Sequence, residues 1–276
     1  MSEKAGDRGV LGAGPSNSIY DCTGRAATMT TVVLVADPPV EGIACQRLLE
    51  ETELTPADGL ELYRALLGDT METLARSTID ILVNYPTAEG LPAGADPEAD
   101  LREIAAEAMS ADRLADVRFE PQVGSNFSAI AGNAITHLVR DEGRQSAAAL
   151  RPCVPRLARS VVDEATLNLR RDDVILGPAA RGDVYFAGFA EPIDFEDAFE
   201  TRPIEELTRR ATEADLDVGF VQQRTVLDSP ADFRTVRSRI EADHLAGKPV
   251  PERFWNVIQE RGIEVEDGVV QSAETA

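Results

Sequence analysis

The stretch MTTVVLVADPP, residues 29–39, indicates the fold class of this chain. Its residues 31–36 are β-branched or apolar, which is typical of a buried strand in a parallel sheet. Asp37, Pro38 and Pro39 then end the strand in a turn. The following residues have to supply the partners of this strand.

Short β-branched runs alternate with amphipathic helical stretches along the rest of the chain. Thr55 and Pro56, for example, are typical of an N-cap and the first helical residue. This alternation predicts an α/β fold, a mostly parallel mixed sheet with helices on both faces, and places function in the loops at the carboxyl ends of the strands. The predicted strands are 31–36, 79–84, 116–120, 146–150, 173–176, 184–189 and 217–222, and the predicted helices are 55–77, 98–110, 125–141, 155–169, 203–214 and 230–244.

The two ends of the chain lack this pattern. Residues 1–28 are rich in Gly, Ser and Ala and are expected to be a disordered tail; Met29 as the true start and a genuine flexible extension both stay open. Residues 29–262 are expected to form one domain, with a short helix carrying Phe254 and Trp255 packed on it or contacting a partner. Residues 263–276 are expected to be a solvated acidic tail.

The charge balance excludes one class of function. There are 49 acidic side chains against 27 basic ones, a net charge of -22, which repels polyanions and excludes non-specific nucleic-acid binding. Lys4 and Lys248 are the only lysines. This composition favours a protein adapted to molar salt, where repulsion is screened; a GC-rich genome that favours arginine is the alternative.

Three cysteines lie far apart in the sequence, at Cys22, Cys45 and Cys153. Their spacing indicates neither a zinc site nor a disulfide framework, and so it fits a reducing cytoplasm. The sequence has no apolar run of membrane-spanning length and no secretory signal pattern. We therefore expect a soluble cytoplasmic protein.

Five short motifs occur in the order of one known family. Residues 35–42 (VADPPVEG) with 46–48 (QRL), 57–69 (ADGLELYRALLGD), 122–124 (QVG), 173–179 (DVILGPA) and 228–232 (DSPAD) carry the likeness. They resemble a bacterial and archaeal glycosyltransferase-A-like family, often described as a domain of unknown function or as arsenosugar-biosynthesis glycosyltransferases. The resemblance spans about residues 31–240 and implies a nucleotide-diphospho-sugar transferase-like domain with a nucleotide or nucleotide sugar as ligand.

The resemblance also implies a phosphate-cradling loop after the first strand and a carboxylate-bound Mg²⁺ or Mn²⁺. This sequence departs from the family at those positions. Asp37 and Cys45 stand where the family has two lysines, and Cys153 stands where it has its metal Asp; Arg181 also replaces a carboxylate. A thiol is a poor ligand for a hard cation, so Mg²⁺ or Mn²⁺ is disfavoured.

The candidate site residues follow from this comparison. Arg47 is a phosphate contact or a surface ion pair with Glu50 or Glu51; Asp228 is a metal ligand or part of the cap of the helix that starts at Pro230. The thiols of Cys45 and Cys153 are expected to be buried and inert, and His137 and His244 to be structural. The full set of nucleotide-binding candidates is Gly42, Arg47, Gln122, Gly124, Arg151, Arg181 and Gly182, with Asp228 as the one metal candidate and no catalytic residue identified.

Two functions remain open at this point. The first is a divergent nucleotide-sugar transferase-like protein that has lost metal-dependent catalysis and serves as a binding or partner subunit. The second is an active glycosyltransferase or nucleotidyltransferase whose arginines replace the lysines and the metal. Both predict that Asp37, Cys45, Arg47, Cys153, Arg181 and Asp228 lie around one cleft at the carboxyl edge of the sheet.

Overall fold

A computed structural model describes residues 30–266 and 269–273. Seven strands form one sheet in the order β3-β2-β1-β4-β6-β5-β7, in which only β6 runs antiparallel to its neighbours. The predicted α/β sheet is therefore confirmed. The strands are β1 Thr30–Val35, β2 Asp80–Tyr85, β3 Arg118–Pro121, β4 Ser146–Leu150, β5 Val174–Pro178, β6 Val184–Phe189 and β7 Val218–Phe220, and a separate pair consists of β8 Glu264–Glu266 and β9 Val269–Gln271.

Helices cover both faces of this sheet. Their bounds are α1 Gln46–Glu50, α2 Pro56–Ala75, α3 Pro97–Ala108, α4 Ala111–Leu114, α5 Phe127–Thr136, α6 Arg159–Asn168, α7 Pro203–Glu213, α8 Pro230–Leu245 and α9 Glu252–Glu260. A π-helical turn, His137–Asp141, extends α5, and a 3₁₀ turn, Ala180–Gly182, joins β5 to β6. No helix in the described part of the chain has both the length and the apolar content needed to cross a bilayer.

The central strand β1 is buried along its whole length, as its sequence predicts. Val32 and Leu34 pack on one face with α2, α3 and α6, whereas Val33 and Val35 pack on the other face with α5 and α7. A third apolar cluster joins the outer side of α2 to α8, α9 and β9. Helix α2 is therefore buried on two sides, between the sheet and a C-terminal layer.

The C-terminal segment corrects one expectation from the sequence. Residues 264–266 and 269–271 pair as antiparallel strands, and the Val270 side chain is completely buried. The Ser272 hydroxyl donates a hydrogen bond of 2.9 Å to Asp58 at the start of α2. A solvated tail is therefore wrong for these residues, because Val270 has a core to join. The predicted packing of Phe254 and Trp255 is confirmed, since both are buried in the same layer.

Helices α1 and α6 differ from the sequence prediction. Helix α1 was not predicted because five residues are too short for a periodic pattern. Helix α6 begins at Arg159 rather than at Pro155, after a turn closed by a bond from the Leu157 amide to the Val154 carbonyl. The predicted tails at residues 1–28 and 274–276 lie outside the described residues.

Candidate functional site

Six of the seven strands end at one edge of the sheet, and β6 begins there. The loops at this edge bring together most of the candidate side chains. Arg47 Nη1 lies 3.4 Å from Asp228 Oδ2, although 181 positions separate them in the sequence. Asp37 lies within electrostatic reach of Arg151 and Asp228, and both thiols lie within reach of the two carboxylates. We call this group the carboxyl-edge cluster: Asp37, Cys45, Arg47, Arg151, Cys153, Arg181 and Asp228.

The backbone of Asp37 is fixed by a tyrosine of α2. The Asp37 amide donates to the Tyr63 hydroxyl at 2.6 Å, and this hydroxyl donates to the Asp37 carbonyl at 3.1 Å. The pKa of the Asp37 carboxyl is raised, first because neighbouring atoms displace its hydration and then because the Asp228 carboxylate repels its charge, while Arg151 opposes both effects. The side chain remains exposed to water, so the rise in pKa is limited.

The two described thiols are free. Burial raises the pKa of Cys45 to about 12, and the charges of Asp37 and Asp228 add to this effect. The pKa of Cys153 is raised as well, again mainly by burial. Both sulfurs therefore carry a proton at neutral pH, which makes them poor nucleophiles, as expected for inert cysteines.

Each arginine of the cluster is paired with an aspartate. Arg47 pairs with Asp228, Arg151 with Asp183 at 3.1 Å, and Arg181 with Asp232 at 3.1 Å. An expected ion pair of Arg47 with Glu50 or Glu51 is therefore wrong; Glu50 accepts a hydrogen bond from Gln46 instead.

Charge counts and geometry single out one of these arginines. With Asp37 included, four carboxylates face three guanidinium groups, which leaves no net positive charge for a polyphosphate. Arg151 nevertheless has an unused donor, because its Nε is buried and no described residue accepts a hydrogen bond from it. Its guanidinium also lies over the Phe127 ring, with the carbon Cζ 4.3 Å from the ring centroid. Arg151 is therefore held in place by Asp183 and the Phe127 ring, with one buried donor unsatisfied.

Gln122 and Gly124 hold the edge of the sheet. The Gln122 side-chain amide donates to the carbonyls of Ala36 at 2.7 Å and Asn84 at 3.0 Å, and so it ties the ends of β1 and β2 together. A Cβ on Gly124 would lie 2.7 Å from the Ile130 backbone nitrogen, so only glycine fits there. Both contacts are structural, and the side-chain donors of Gln122 are already used.

The two other glycine candidates lie in turns. Gly42 and Gly182 have φ angles of 78° and 80°, in the left-handed region that favours glycine. Gly42 belongs to the loop after β1, and Gly182 follows Arg181 in the 3₁₀ turn between β5 and β6. Gly182 also lies against Arg202, which a side chain at this position would approach to 3.3 Å.

Asp228 was predicted to be either a metal ligand or part of the N-cap of α8, and the structure shows which residue is the N-cap. Ser229 is the N-cap, since its hydroxyl accepts a hydrogen bond from the Asp232 amide at 3.3 Å and donates to the Asp232 carboxylate at 2.6 Å. The Asp228 side chain is left to pair with Arg47. The sequence correctly predicts a capped helix start here, but the cap is not Asp228.

The histidines lie elsewhere. His137 Nδ1 is 2.9 Å from Asp141, and the His244 ring packs against Trp255 with ring centroids 5.5 Å apart. These contacts are structural, as the sequence predicts.

The side chains of the cluster do not form a complete metal site. Within residues 30–266 and 269–273, no group of three or more His, Cys, Asp or Glu side chains is arranged to hold a metal ion. The available oxygen ligands are Asp37 and Asp228, and Asp228 is already paired with Arg47. The two neighbouring sulfurs are protonated and suit a hard cation poorly. These residues do not fit Mg²⁺ or Mn²⁺ by themselves.

No protein-family model matches the sequence, and no curated protein matches it significantly. Solved structures do match. A protein from Desulfovibrio desulfuricans G20, provisionally named a nucleotide-diphospho-sugar transferase, is 18% identical with a TM-score of 0.68, over 85% of this chain and 96% of that one. A cytidylyltransferase from Leptospira borgpetersenii is 12% identical with a TM-score of 0.47, over 85% and 95% of the two chains. The first of these two structures shows that the chain has a nucleotide-diphospho-sugar transferase-like α/β fold.

Two residues that fix the site and the C-terminal layer were not predicted from the sequence. Tyr63 and Asp69 both lie in the motif at residues 57–69, where only a helix was predicted. Asp69 accepts hydrogen bonds from the backbone amides of Arg253 and Phe254, and thereby caps α9. Because α2 is buried on two sides, its polar residues reach both the site and the C-terminal layer. A polar residue on an otherwise apolar face of a helix was the feature of the sequence that could have identified them.

Proposed function

We propose that this protein binds a nucleotide or nucleotide sugar at the carboxyl-edge cluster and has lost the metal-dependent transfer chemistry of related folds. The observation that carries the proposal is Cys153. A protonated sulfur stands at the position where the family resemblance implies a metal carboxylate, and the one remaining metal candidate, Asp228, is paired with Arg47.

The arrangement of Arg151 supports a binding role. Its guanidinium is positioned by Asp183 and by the Phe127 ring, and its Nε has no partner. Arginine binds phosphate oxygens through two parallel N–H donors, so a phosphate group can replace the carboxylate as the acceptor. The carboxylates must then release their arginines, so we expect modest affinity.

Calorimetric titration tests this proposal. UDP-, GDP- and dTDP-sugars are titrated in high salt, with and without Mn²⁺. We expect one of them to bind with an affinity that Mn²⁺ leaves unchanged and with no turnover. Arg151→Gln should weaken binding at least tenfold, about 1.4 kcal/mol. Arg170→Gln, which removes an exposed charge after α6, is the matched control and should have no effect.

The alternative is an active transferase in which arginines stabilise the leaving diphosphate. The convergence of Arg47, Arg151 and Arg181 on one edge supports it. Metal-independent turnover that is lost in Arg47→Ala would select this alternative. Turnover that requires Mn²⁺ and is abolished by Asp228→Asn would contradict both functions.

A cytoplasmic location and adaptation to high salt are part of the same proposal. The free thiols of Cys45 and Cys153 support a reducing compartment, and the net charge of -22 supports a salt-rich one.

A further inference from the structure

A second candidate binding site lies beside the carboxyl-edge cluster. A cavity of about 350 Å³ opens between α8 and the segments that follow β4 and β7. This volume is at the lower end of the range for small-molecule sites. Its polar lining consists of Arg156, Gln223, Arg224, Thr225, Thr235 and Arg239. We call it the arginine pocket.

The arginine pocket is unusual in a chain with a net charge of -22. Among the residues that the structure describes, three arginines line it and no Asp or Glu does. One carboxylate behind the lining, Asp243, pairs with both Arg156 at 2.6 Å and Arg239 at 3.2 Å. Lost hydration acts to raise the pKa of Asp243, but Arg156, Arg239 and Lys248 outweigh it and hold this pKa below its ordinary value. The immediate surroundings therefore keep a surplus of positive charge.

Arg224 provides an independent observation. Its Nε is buried and has no hydrogen-bond partner within residues 30–266 and 269–273. A buried N–H group without an acceptor is destabilising, and such groups in native proteins commonly face a bound water or ion. The backbone of Arg224 is fixed, because its amide donates to the Pro178 carbonyl at 3.0 Å. Arg224 thus lines the cavity from a fixed backbone, and it has no ion-pair partner among the described residues.

The other lining groups suit an anion as well. Thr235 and Arg239 are one helical turn apart and so lie on the same face of α8. The Thr225 hydroxyl and the Gln223 amide can donate to oxygen atoms, whereas the Thr235 hydroxyl already donates to the Ala231 carbonyl at 2.9 Å. A phosphoryl group, with its three terminal oxygens and double negative charge, matches such a set of donors and two surplus positive charges.

We propose that the arginine pocket binds a dianionic phosphoryl group, carried by a small phosphate monoester or present as free phosphate. The proposal does not depend on what the carboxyl-edge cluster binds. The two sites share a wall, however, since the Leu227 amide donates to the Cys153 carbonyl at 2.8 Å and so joins the two segments between them. A phosphorylated second substrate in the pocket would lie next to a nucleotide at the cluster.

Calorimetry with the intact chain tests the proposal. Inorganic phosphate, glucose 6-phosphate and glucose are titrated at about 0.5 M KCl, where non-specific charge effects are largely screened. We expect binding of one or both phosphorylated probes and none of glucose. Equal affinity for the two phosphorylated probes supports free phosphate as the ligand, and tighter binding of the ester supports a phosphate monoester.

Variants of the lining residues test whether the phosphorylated probes bind in the arginine pocket. Arg224→Gln should weaken it at least tenfold, and Arg239→Gln, at an exposed side chain, keeps the test valid if the first variant fails to fold. Asp243→Asn should strengthen it severalfold, because two arginines lose a competing carboxylate. Arg170→Gln makes the same charge change at the other edge of the sheet and should have no effect. Absence of binding by both phosphorylated probes, or binding that Arg224→Gln and Arg239→Gln leave unchanged, overturns the proposal.

Discussion

Asp183 is the residue that competes most directly with a ligand for Arg151. Its Oδ2 accepts from Arg151 at 3.1 Å, while its Oδ1 accepts from the Val184 amide at 2.7 Å. Asparagine can keep the second bond but not the charge. Asp183→Asn is therefore expected to tighten nucleotide binding about fivefold, equivalent to about 1 kcal/mol. Calorimetry measures this, with Asp163→Asn, at an exposed pair on α6, as the control. Weaker binding in Asp183→Asn would show that Arg151 needs this carboxylate for its position.

Asp37 makes stability depend on pH. Its pKa is higher in the folded chain than in the unfolded chain, so the folded state retains this proton at higher pH. Stability is therefore lost as pH rises from the ordinary aspartate value, about 3.9, through the folded value. Asp37→Asn removes this loss and should be more stable than the native chain at pH 7, by a margin that shrinks towards pH 4. Urea unfolding at several pH values measures the margin. Glu41→Gln, in the same loop, controls for the change in net charge, and an equal gain in both variants would contradict the prediction.

At the scale of elements, the paired strands β8 and β9 contribute to the C-terminal layer. Val270 is completely buried, while its neighbour Val269 is 38% exposed. Val270→Ala leaves a small cavity and should lower the free energy of unfolding by roughly 2 kcal/mol, whereas Val269→Ala should change it by less than about 0.5 kcal/mol. Urea unfolding of the two variants provides a matched comparison. Equal, small effects would mean that these strands do not stabilise the domain.

The elements that the sequence predicts best are those with a long local pattern. Residues 31–36, 146–150 and 184–189 are predicted within one residue of β1, β4 and β6, because buried strands of β-branched and small apolar residues differ clearly from their flanks. The hairpin at the C-terminus was missed, although the Asp-Gly pair at 267–268 between valine-containing runs is a hairpin signal. Its acidic residues suggested solvent, and only the tertiary structure supplies the surface that buries Val270.

The candidate site was predicted in part for similar reasons. The carboxyl edge follows from the α/β pattern, and the motif order placed the six cluster residues named from the sequence in one neighbourhood. The pairing of each arginine with a particular aspartate depends on side-chain geometry across distant loops, as for Arg47 and Asp228. The arginine pocket has no sequence motif, because its three arginines come from three separate segments.

At the scale of the whole molecule, the net charge of -22 predicts a dependence on salt. Salt screens both the repulsion among carboxylates and the many exposed Arg–carboxylate pairs, but such pairs contribute little individually. Repulsion should dominate, so the Tm is expected to rise with added KCl. Because the Debye length falls most steeply at low salt, most of the rise should occur below about 0.3 M. Thermal unfolding from millimolar to molar KCl measures it. A Tm that is constant, or that rises only at molar salt, would contradict a screening mechanism.

The reversed strand β6 also affects how this protein can change during evolution. Loops that leave parallel strands lead to helices and can accept inserted residues, as residues 86–96 after β2 illustrate. The turn at residues 179–183 instead joins two adjacent, paired strands, so an insertion there would disturb the strand register. Substitutions are therefore tolerated in this turn, whereas insertions are not. New ligand specificities in descendants of this chain should arise from longer loops after β1 and β2, opposite a β5–β6 turn of constant length.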